Sequence, residues 1–430
     1  MGKVNPAREA AFSSLLKMKS GKYSNLEVNA TLTRTELEGA DRGLYTALVY
    51  GVCERAITVD RIIAKYSKVP LEKIDKEPLA ALRLGVYQLG FMDKIPDHAA
   101  VDESVTLAGR RSGGFVNALL RAFIRDEKRI PLPKEGSVEY LSVLYSVPEE
   151  LCRRFVEWYG YDGAEKIFCA FLESEKITLR VNTLKRSVEE AVASLGARES
   201  TLVQGSVCVD SFDGVREGIE KGDWFVQDEA SALAVQVLGA KAGETVIDTC
   251  ACPGGKSFGT AVRMENRGTV LSFDIHENKL SLIRKGAKKL GIDIIKADVR
   301  DARKPDEALF SKADRVLCDA PCSGLGVIGK KPDIKYKDLS DVDRLPEIQY
   351  DVLCGAAKYV KEGGVLVYST CTLNPLENFE VCRRFLSEHR EFSLCPFSYG
   401  DSECDGSLTL LPSVHKTDGF YICKMIKGEV

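Results

Sequence analysis

No stretch of this sequence stays apolar for long. The longest runs, such as "ALVYGV" (Ala47–Val52), fall far short of the roughly 18 residues that a membrane-crossing helix needs. The opening "MGKVNPAREAAFSSLLKM" has no apolar core of the signal-peptide kind and reads as an amphipathic helix opened by Pro6. A cytoplasmic protein with no membrane association is expected. Histidine is scarce, with four residues (His98, His276, His389 and His415). The 14 cysteines contain no C-x-x-C pair; Cys250 and Cys252 stand as C-x-C. That spacing argues against a zinc cage, so no metal is expected and the thiols are read as reduced. Two nucleotide signatures are missing as well. Without G-x-x-x-x-G-K-[ST] there is no P-loop, and without G-x-G-x-x-G a nicotinamide-dependent dehydrogenase is disfavoured. A basic excess is also absent, because 60 Lys+Arg face 63 Asp+Glu for a net charge of −3.

What is present is unevenly distributed. Residues 1–135 hold 22 Lys+Arg against 17 Asp+Glu, a net of +5 inside a chain of net −3. A basic module carried by a mildly acidic one is the natural reading. At 430 residues the chain exceeds one core, so several domains are expected. Up to about Arg129 apolar residues recur at helical spacing, and the Pro-rich "IPLPKEG" (Ile130–Gly136) follows as a linker. An all-α domain is therefore placed at 1–130. From 137 to 235 helix and strand patterns mix, with "ITLRVNT" (Ile177–Thr183) a strand and Asp228 or Ser231 a helix cap. From 236 to 430 short apolar runs ("TVIDTC", "GTVLSFD", "IDIIKAD", "ADRVLCDAP", "GGVLVYST") alternate with helices such as "HENKLSLIRKGAKKLG". This is the pattern of a parallel, Rossmann-like α/β sheet covered on both faces, and "GFYICKMIK" would close it as an antiparallel strand.

Ligands of such sheets bind beyond the carboxyl ends of the strands. Here those ends carry Asp248, Asp274, Asp298 and Asp319 with Cys250, Cys322 and Cys371. The loop "CACPGGKS" (Cys250–Ser257) joins a strand to a helix, where glycines admit a close ligand and the first N–H groups can meet an anion. Asp274 lies 18 residues after Lys256, near the offset at which a carboxylate holds ribose hydroxyls; capping the next helix is its bland role. Asp298 could face an adenine amino group. A nucleoside pocket without a pyrophosphate grip suits S-adenosylmethionine better than NAD.

The cysteines suggest the chemistry. Carbon 5 of a pyrimidine is a poor nucleophile until a thiolate adds at carbon 6, after which it can attack an electrophilic methyl group. An ordinary thiol, with pKa about 8.5, must be perturbed to do this. Cys322, in "DAPCSG", and Cys371, in "STCT", both sit at suitable strand ends. Their positions alone leave open which one attacks.

Three segments carry a family resemblance: "DTCACPGGKS", "DRVLCDAPCSGLGVIGKKPDIKYK" and "YSTCTLNPLENFEVCRRFL". They resemble the motifs of RNA cytosine-5 methyltransferases of the NOL/Sun type, and "FVQDEASALA" and "LRVNT" resemble that family's preceding elements. The helical region, with "ALRLGVYQLGF" and "FVNALLRAF", resembles the NusB fold. The combination resembles the bacterial branch of the family that acts on 16S ribosomal RNA. The resemblance implies that Cys250, Ala251, Cys252, Pro253, Gly254, Gly255, Lys256 and Asp274 bind S-adenosylmethionine, with Asp298 near its adenine. It implies that Asp319 touches both the methyl-donor side and the cytosine edge. Cys371 would be the nucleophile, and Cys322 would assist product release. Cys252 and Ser257 replace the family's usual Ala and Thr, both small exchanges.

A base in the active site must be unstacked, so the expected partner is 16S RNA that is naked or partly assembled, bound by a monomer. Lys330, Lys331, Lys335 and Lys337, in the "GKKPDIKYKD" segment after the Cys322 loop, are candidates for gripping phosphates. A transfer RNA or another RNA as substrate, or a non-catalytic RNA-binding scaffold, are the alternatives.

Overall fold

The computed structural model describes residues 4–18, 24–35, 37–173, 176–212 and 214–428. The chain forms two compact units, Met1–Leu172 with Ile328–Lys337, and Glu173–Val327 with Asp338–Val430. Among the described residues no helix is long and apolar enough to cross a membrane.

The first unit is helical. Its opening helix, Pro6–Lys17, is capped by Asn5, whose side chain accepts from the N–H groups of Ala7 and Arg8. Proline in the first turn loses nothing, because that N–H has no intrahelical partner. Val59, Ile62, Leu82, Val101, Val116, Leu120 and Phe123 meet in one apolar core. Ala7, Ala11, Tyr45 and Leu48 form a second. The helix Gly109–Arg125 buries Val116, Leu119, Leu120 and Phe123 while Arg110, Arg111, Arg121 and Arg125 face solvent. That split follows from the three-to-four spacing of its apolar residues. Helices Val138–Tyr145 and Glu149–Phe171 also belong to this unit.

Segment Ile328–Lys337 packs in the same unit and corrects one expectation. Lys335 is 3% exposed, and its Nζ donates to the Glu54 carbonyl at 2.5 Å. Burial pulls its ammonium down to about 8. A buried, engaged cation cannot grip a phosphate, so Lys335 leaves the set of RNA-facing lysines. Lys330 and Lys331 are exposed and Lys337 half-buried.

The second unit holds two larger sheets. Strands β1 (Ile177–Val181), β2 (Arg198–Glu199), β3 (Ser206–Val209) and β4 (Trp224–Val226) form an antiparallel sheet in the order β2-β3-β1-β4. The other contains β5 (Thr245–Asp248), β6 (Thr269–Asp274), β7 (Ile295–Val299), β8 (Ala313–Asp319), β9 (Val360–Thr370) and β10 (Phe392–Leu394). The hairpin of β11 (Phe397–Tyr399) and β12 (Ser402–Cys404) precedes β13 (Ser407–Leu410) and β14 (Phe420–Lys427). The order is β10-β14-β9-β8-β5-β6-β7, with β13 beside β14. Strands β5 to β9 pair in parallel, and β14 runs antiparallel to β9, as the sequence patterns lead one to expect. Both faces are covered. Val246 and Leu317 join the core with helices Glu229–Leu238 and Glu277–Leu290. Their chain neighbours Ile247 and Val316 join the opposite core with helices Leu345–Ala357 and Phe379–Glu388. Two-sided burial is why these strands read as unbroken apolar runs.

Candidate active site

The chain leaves β5 toward β6 and β7, then returns to lay β8 on the other side of β5. The strand order reverses there, which opens a crevice at the carboxyl ends of β5 and β8. Asp248 and Asp319 are the last residues of those two strands. A cavity of about 280 Å³ opens between the loops and is lined by Asp248, Cys250, Ala251, Cys252, Pro253, Gly255, Lys256, Asp319 and Cys371. Val226, Gln227, Asp418 and Phe420, which the sequence did not mark as site residues, complete it together with Asp228 and Ser231, which the sequence marked only as helix-cap candidates.

The loop after β5 turns into helix Gly255–Arg263 through Gly254, whose φ is 115°. A Cβ there would meet the Phe258 ring at 2.4 Å, so only glycine fits. Gly254 provides no side-chain cap, which leaves the first N–H groups of the helix available to an anion.

Asp319 is held from two sides. Lys256 Nζ donates to Oδ2 at 2.7 Å and Ser369 Oγ donates to Oδ1 at 2.7 Å. The second contact follows from register, since Asp319 and Ser369 are direct cross-strand partners of β8 and β9. Burial alone would pull the Lys256 ammonium down. The Asp319 carboxylate and its hydrogen bond outweigh burial, and with Cys371 and Asp248 they carry the net shift upward. Asp248 is 2% exposed. Its Oδ2 accepts from Ser257 Oγ at 2.6 Å, and that hydroxyl lies 2.8 Å from Ser272 Oγ. Oδ1 has no partner. Burial pushes the Asp248 carboxyl up to about 7, with Ser257 opposing and Asp319 assisting.

Cys371 follows β9 directly and Cys322 lies three residues past β8. Their sulfurs are 3.1 Å apart. The hydrogen bond with Cys371 and burial push the Cys322 thiol well above its ordinary value, and the Glu377 and Asp319 carboxylates add to the shift. Burial likewise pushes Cys250 up, which marks it as a neutral wall of the loop. The two cysteine loops are braced by a backbone crossing. Gly326 N donates to the Cys371 carbonyl at 3.0 Å, and Gly419 N donates to the Gly326 carbonyl at 2.8 Å. A Cβ on Gly326 would fall 1.8 Å from Gly419 O, so the approach requires glycine.

Asp274 and Asp298 lie at neighbouring strand ends but outside the cavity lining. Asp274 Oδ1 accepts from His276 N at 2.9 Å, which leaves its other oxygen for a ligand. Asp298 pairs with Phe273, one position short of Asp274. Alternation therefore sends its side chain to the other face of the sheet, where Arg300 lies 3.5 Å away. Among the described residues no group of His, Cys, Asp and Glu could hold a metal ion.

Comparison with known proteins gives this geometry a context. Residues 235–426 match the family model "16S rRNA methyltransferase RsmB/F" and residues 5–125 match the NusB family. The probable ribosomal RNA small subunit methyltransferase B of Bacillus subtilis is 38% identical over 99% of both chains. Its Synechocystis counterpart is 32% identical over 98% of this chain and 99% of its own. The crystal structure of PH0851 superposes with a TM-score of 0.80 at 29% identity, covering 99% of this chain and 100% of the other. NSun6 from Pyrococcus horikoshii shares the fold over 67% of this chain and 100% of its own, at 23% identity and a TM-score of 0.59. With a helical NusB-like unit and a methyltransferase unit whose strand ends carry this crevice, the chain belongs to the ribosomal RNA small subunit methyltransferase B family.

Proposed function

We propose that the protein transfers a methyl group from S-adenosylmethionine to carbon 5 of a cytosine in 16S ribosomal RNA, through a covalent bond between that cytosine and Cys371. The observation that carries this reading is the pair of sulfurs 3.1 Å apart beside the Asp319–Lys256 ion pair.

The residues present fit the cofactor. The uncapped start of helix Gly255–Arg263 suits its carboxylate, and the acidic wall of Asp248 and Asp319 suits a sulfonium. Asp274 suits the ribose, and Asp298 is assigned to the adenine side. When bound, S-adenosylmethionine supplies an electrophilic methyl group. Cys371 Sγ adds to carbon 6 of the ring, forming the C–S bond and making carbon 5 nucleophilic. Lys256, whose charge acts together with that of Cys371, favours the thiolate. Asp319, fixed by Lys256 and Ser369, accepts from the exocyclic amino group of the cytosine. Once carbon 5 has taken the methyl group, with the S–CH3 bond broken and S-adenosylhomocysteine left behind, its proton would leave to a base, the C–S bond would break and the thiolate would return to Cys371. Cys322 is assigned the role of assisting that release.

RNA recognition is assigned in part to the first unit. Helix Gly109–Arg125 contains no Asp or Glu, and among the described residues no carboxylate pairs with its exposed arginines. Phosphate contacts are also assigned to Lys330, Lys331 and Lys337. Lys331→Glu and Arg121→Glu are each expected to weaken RNA binding. Each should also lower the slope of log K against log salt by about 0.7 for every single-strand phosphate no longer neutralised. Filter binding across a salt series reads both; an unchanged slope removes the residue from the interface.

Cofactor affinity is expected to depend on pH. The Asp248 carboxyl, raised to about 7, is neutral below that value and charged above it, and a bound cation favours the charged form. Binding therefore releases a proton, and affinity rises as pH increases through about 7. Calorimetry from one pH unit below that value to one above measures the trend, which Asp248→Asn should flatten.

The deciding test is transfer of labelled methyl from S-adenosylmethionine to naked 16S RNA, with transfer RNA and intact small subunits alongside. Labelled 5-methylcytosine in the 16S strand supports the reading. Label confined to transfer RNA, or absent, rejects it.

A further inference from the structure

Glu377 is fully buried, five residues beyond Thr372 and outside the cavity lining. Four donors converge on its two oxygens. Ser323 N and Gln349 Nε2 donate to Oε2 at 2.8 and 2.9 Å. Asn374 Nδ2 and Thr372 Oγ1 donate to Oε1 at 3.0 and 3.4 Å. A carboxyl that only accepts on both oxygens is an ionised one, and no Lys or Arg pairs with it among the described residues. A buried carboxylate held by hydrogen bonds alone is costly to keep, so its retention asks for a reason.

Its partners suggest the reason. Ser323 is the neighbour of Cys322, and Thr372 is the neighbour of Cys371. Gln349 reaches the same carboxylate and also donates to the Pro321 carbonyl at 2.9 Å. Ser323 Oγ and Thr372 Oγ1 lie 2.7 Å apart, and Tyr368 OH donates to the Glu377 carbonyl at 2.7 Å. One side chain thus pins the two cysteine loops to each other and to helix Leu345–Ala357.

Its charge also divides the pair unequally. The negative charge of Glu377 bears on Cys322, whereas the ammonium of Lys256 bears on Cys371.

We propose that Glu377 is a positioning residue that locks the Cys322 and Cys371 loops in register and keeps Cys322 a thiol, so that the thiolate of the pair resides on Cys371. The proposal rests on the roles assigned to the two cysteines under the proposed function, but its test needs neither RNA nor cofactor. The free enzyme is treated with iodoacetamide over a range of pH, and the labelling of each cysteine is read by peptide mass spectrometry. In wild type, Cys371 labels first. Glu377→Gln keeps an acceptor but removes the charge. Cys322 labelling under mildly alkaline conditions should then rise above the wild-type rate, because one of the charges that oppose its thiolate is gone. Glu377→Asp keeps the charge on a shorter arm, so Cys322 should stay slow to label. Thermal melting checks that each variant is folded. Wild-type labelling of Cys322 in Glu377→Gln overturns the proposal, as does Glu377→Asp labelling Cys322 as fast as Cys371. Should Glu377→Gln not fold, the Glu377→Asp result decides alone. Because the thiols are read directly, a wrong choice of RNA substrate would leave this outcome untouched.

Discussion

Cys371→Ala is expected to abolish methyl transfer and to leave no covalent protein–RNA complex on a denaturing gel, whereas Cys322→Ala is expected to accumulate that complex. Both variants remove a sulfur from the same pair, 3.1 Å apart, so packing losses should be similar and the contrast isolates chemistry. Cys371 sits on the Lys256 side, next to Asp319, where a thiolate is stabilised and a base held by Asp319 would meet it. Cys322 is raised well above its ordinary value by Cys371, burial and two carboxylates, and so is a poor nucleophile in the resting enzyme. Two of those influences weaken once Cys371 becomes a thioether: the hydrogen bond and the charge of its partner. On the proposed mechanism, Cys322 is thereby released to act late, after the C–S bond has formed. Losing the nucleophile removes covalent catalysis outright. Losing the late group stalls the adduct. The reverse pattern, with adduct accumulating in Cys371→Ala, would exchange the two roles.

Asp319→Asn is expected to lower kcat by roughly 10²–10⁴-fold, the range associated with removing a proton-handling or orienting group from a transition state. The substitution preserves shape but removes the charge opposite Lys256, whose side chain is 13% exposed. The Asn carboxamide oxygen can still accept from Lys256 but no longer balances its charge, so the melting temperature should fall as well. Lys256 would then lose the influence that holds its pKa up and become a weaker support for the Cys371 thiolate. Lys256→Met tests this link. Its effect should be smaller in the Asp319→Asn background than in wild type, because the two residues act as one unit. Strict additivity of the two losses would show that they work independently.

The fold was largely legible in the chain. Apolar runs separated by helical patterns require a parallel sheet with both faces buried, and Val246 beside Ile247 shows why: successive residues enter opposite cores. The strand-end carboxylates and the glycine loop were also legible, because a strand delivers its last residue to one edge of the sheet whatever the rest of the chain does. Less legible was the role of Ser257, a substitution in the loop that turns out to hold Asp248. Glu377, Gly326 and Gly419 lie within quoted segments, but nothing local marked the contacts they make. Glu377 meets Gln349 and Ser323, 28 and 54 positions away in the chain, and Gly326 meets Gly419 across a still longer separation. Periodicity cannot register partners so far apart.

By itself the sequence determined which residues stand at the strand ends, because alternation and turn chemistry are local. It determined the helical character of the first unit for the same reason. Only the tertiary structure decided how those residues are shared out. It set β8 between β5 and β9 and so brought Asp319 to Lys256 and Ser369. It sent Asp298 to the face opposite Asp274 and buried Lys335 among helices. It also placed a positive charge by one cysteine and a negative charge by the other. Burial, register and charge proximity are properties of the packed chain, and two cysteines alike in sequence become unlike only through their neighbours in space.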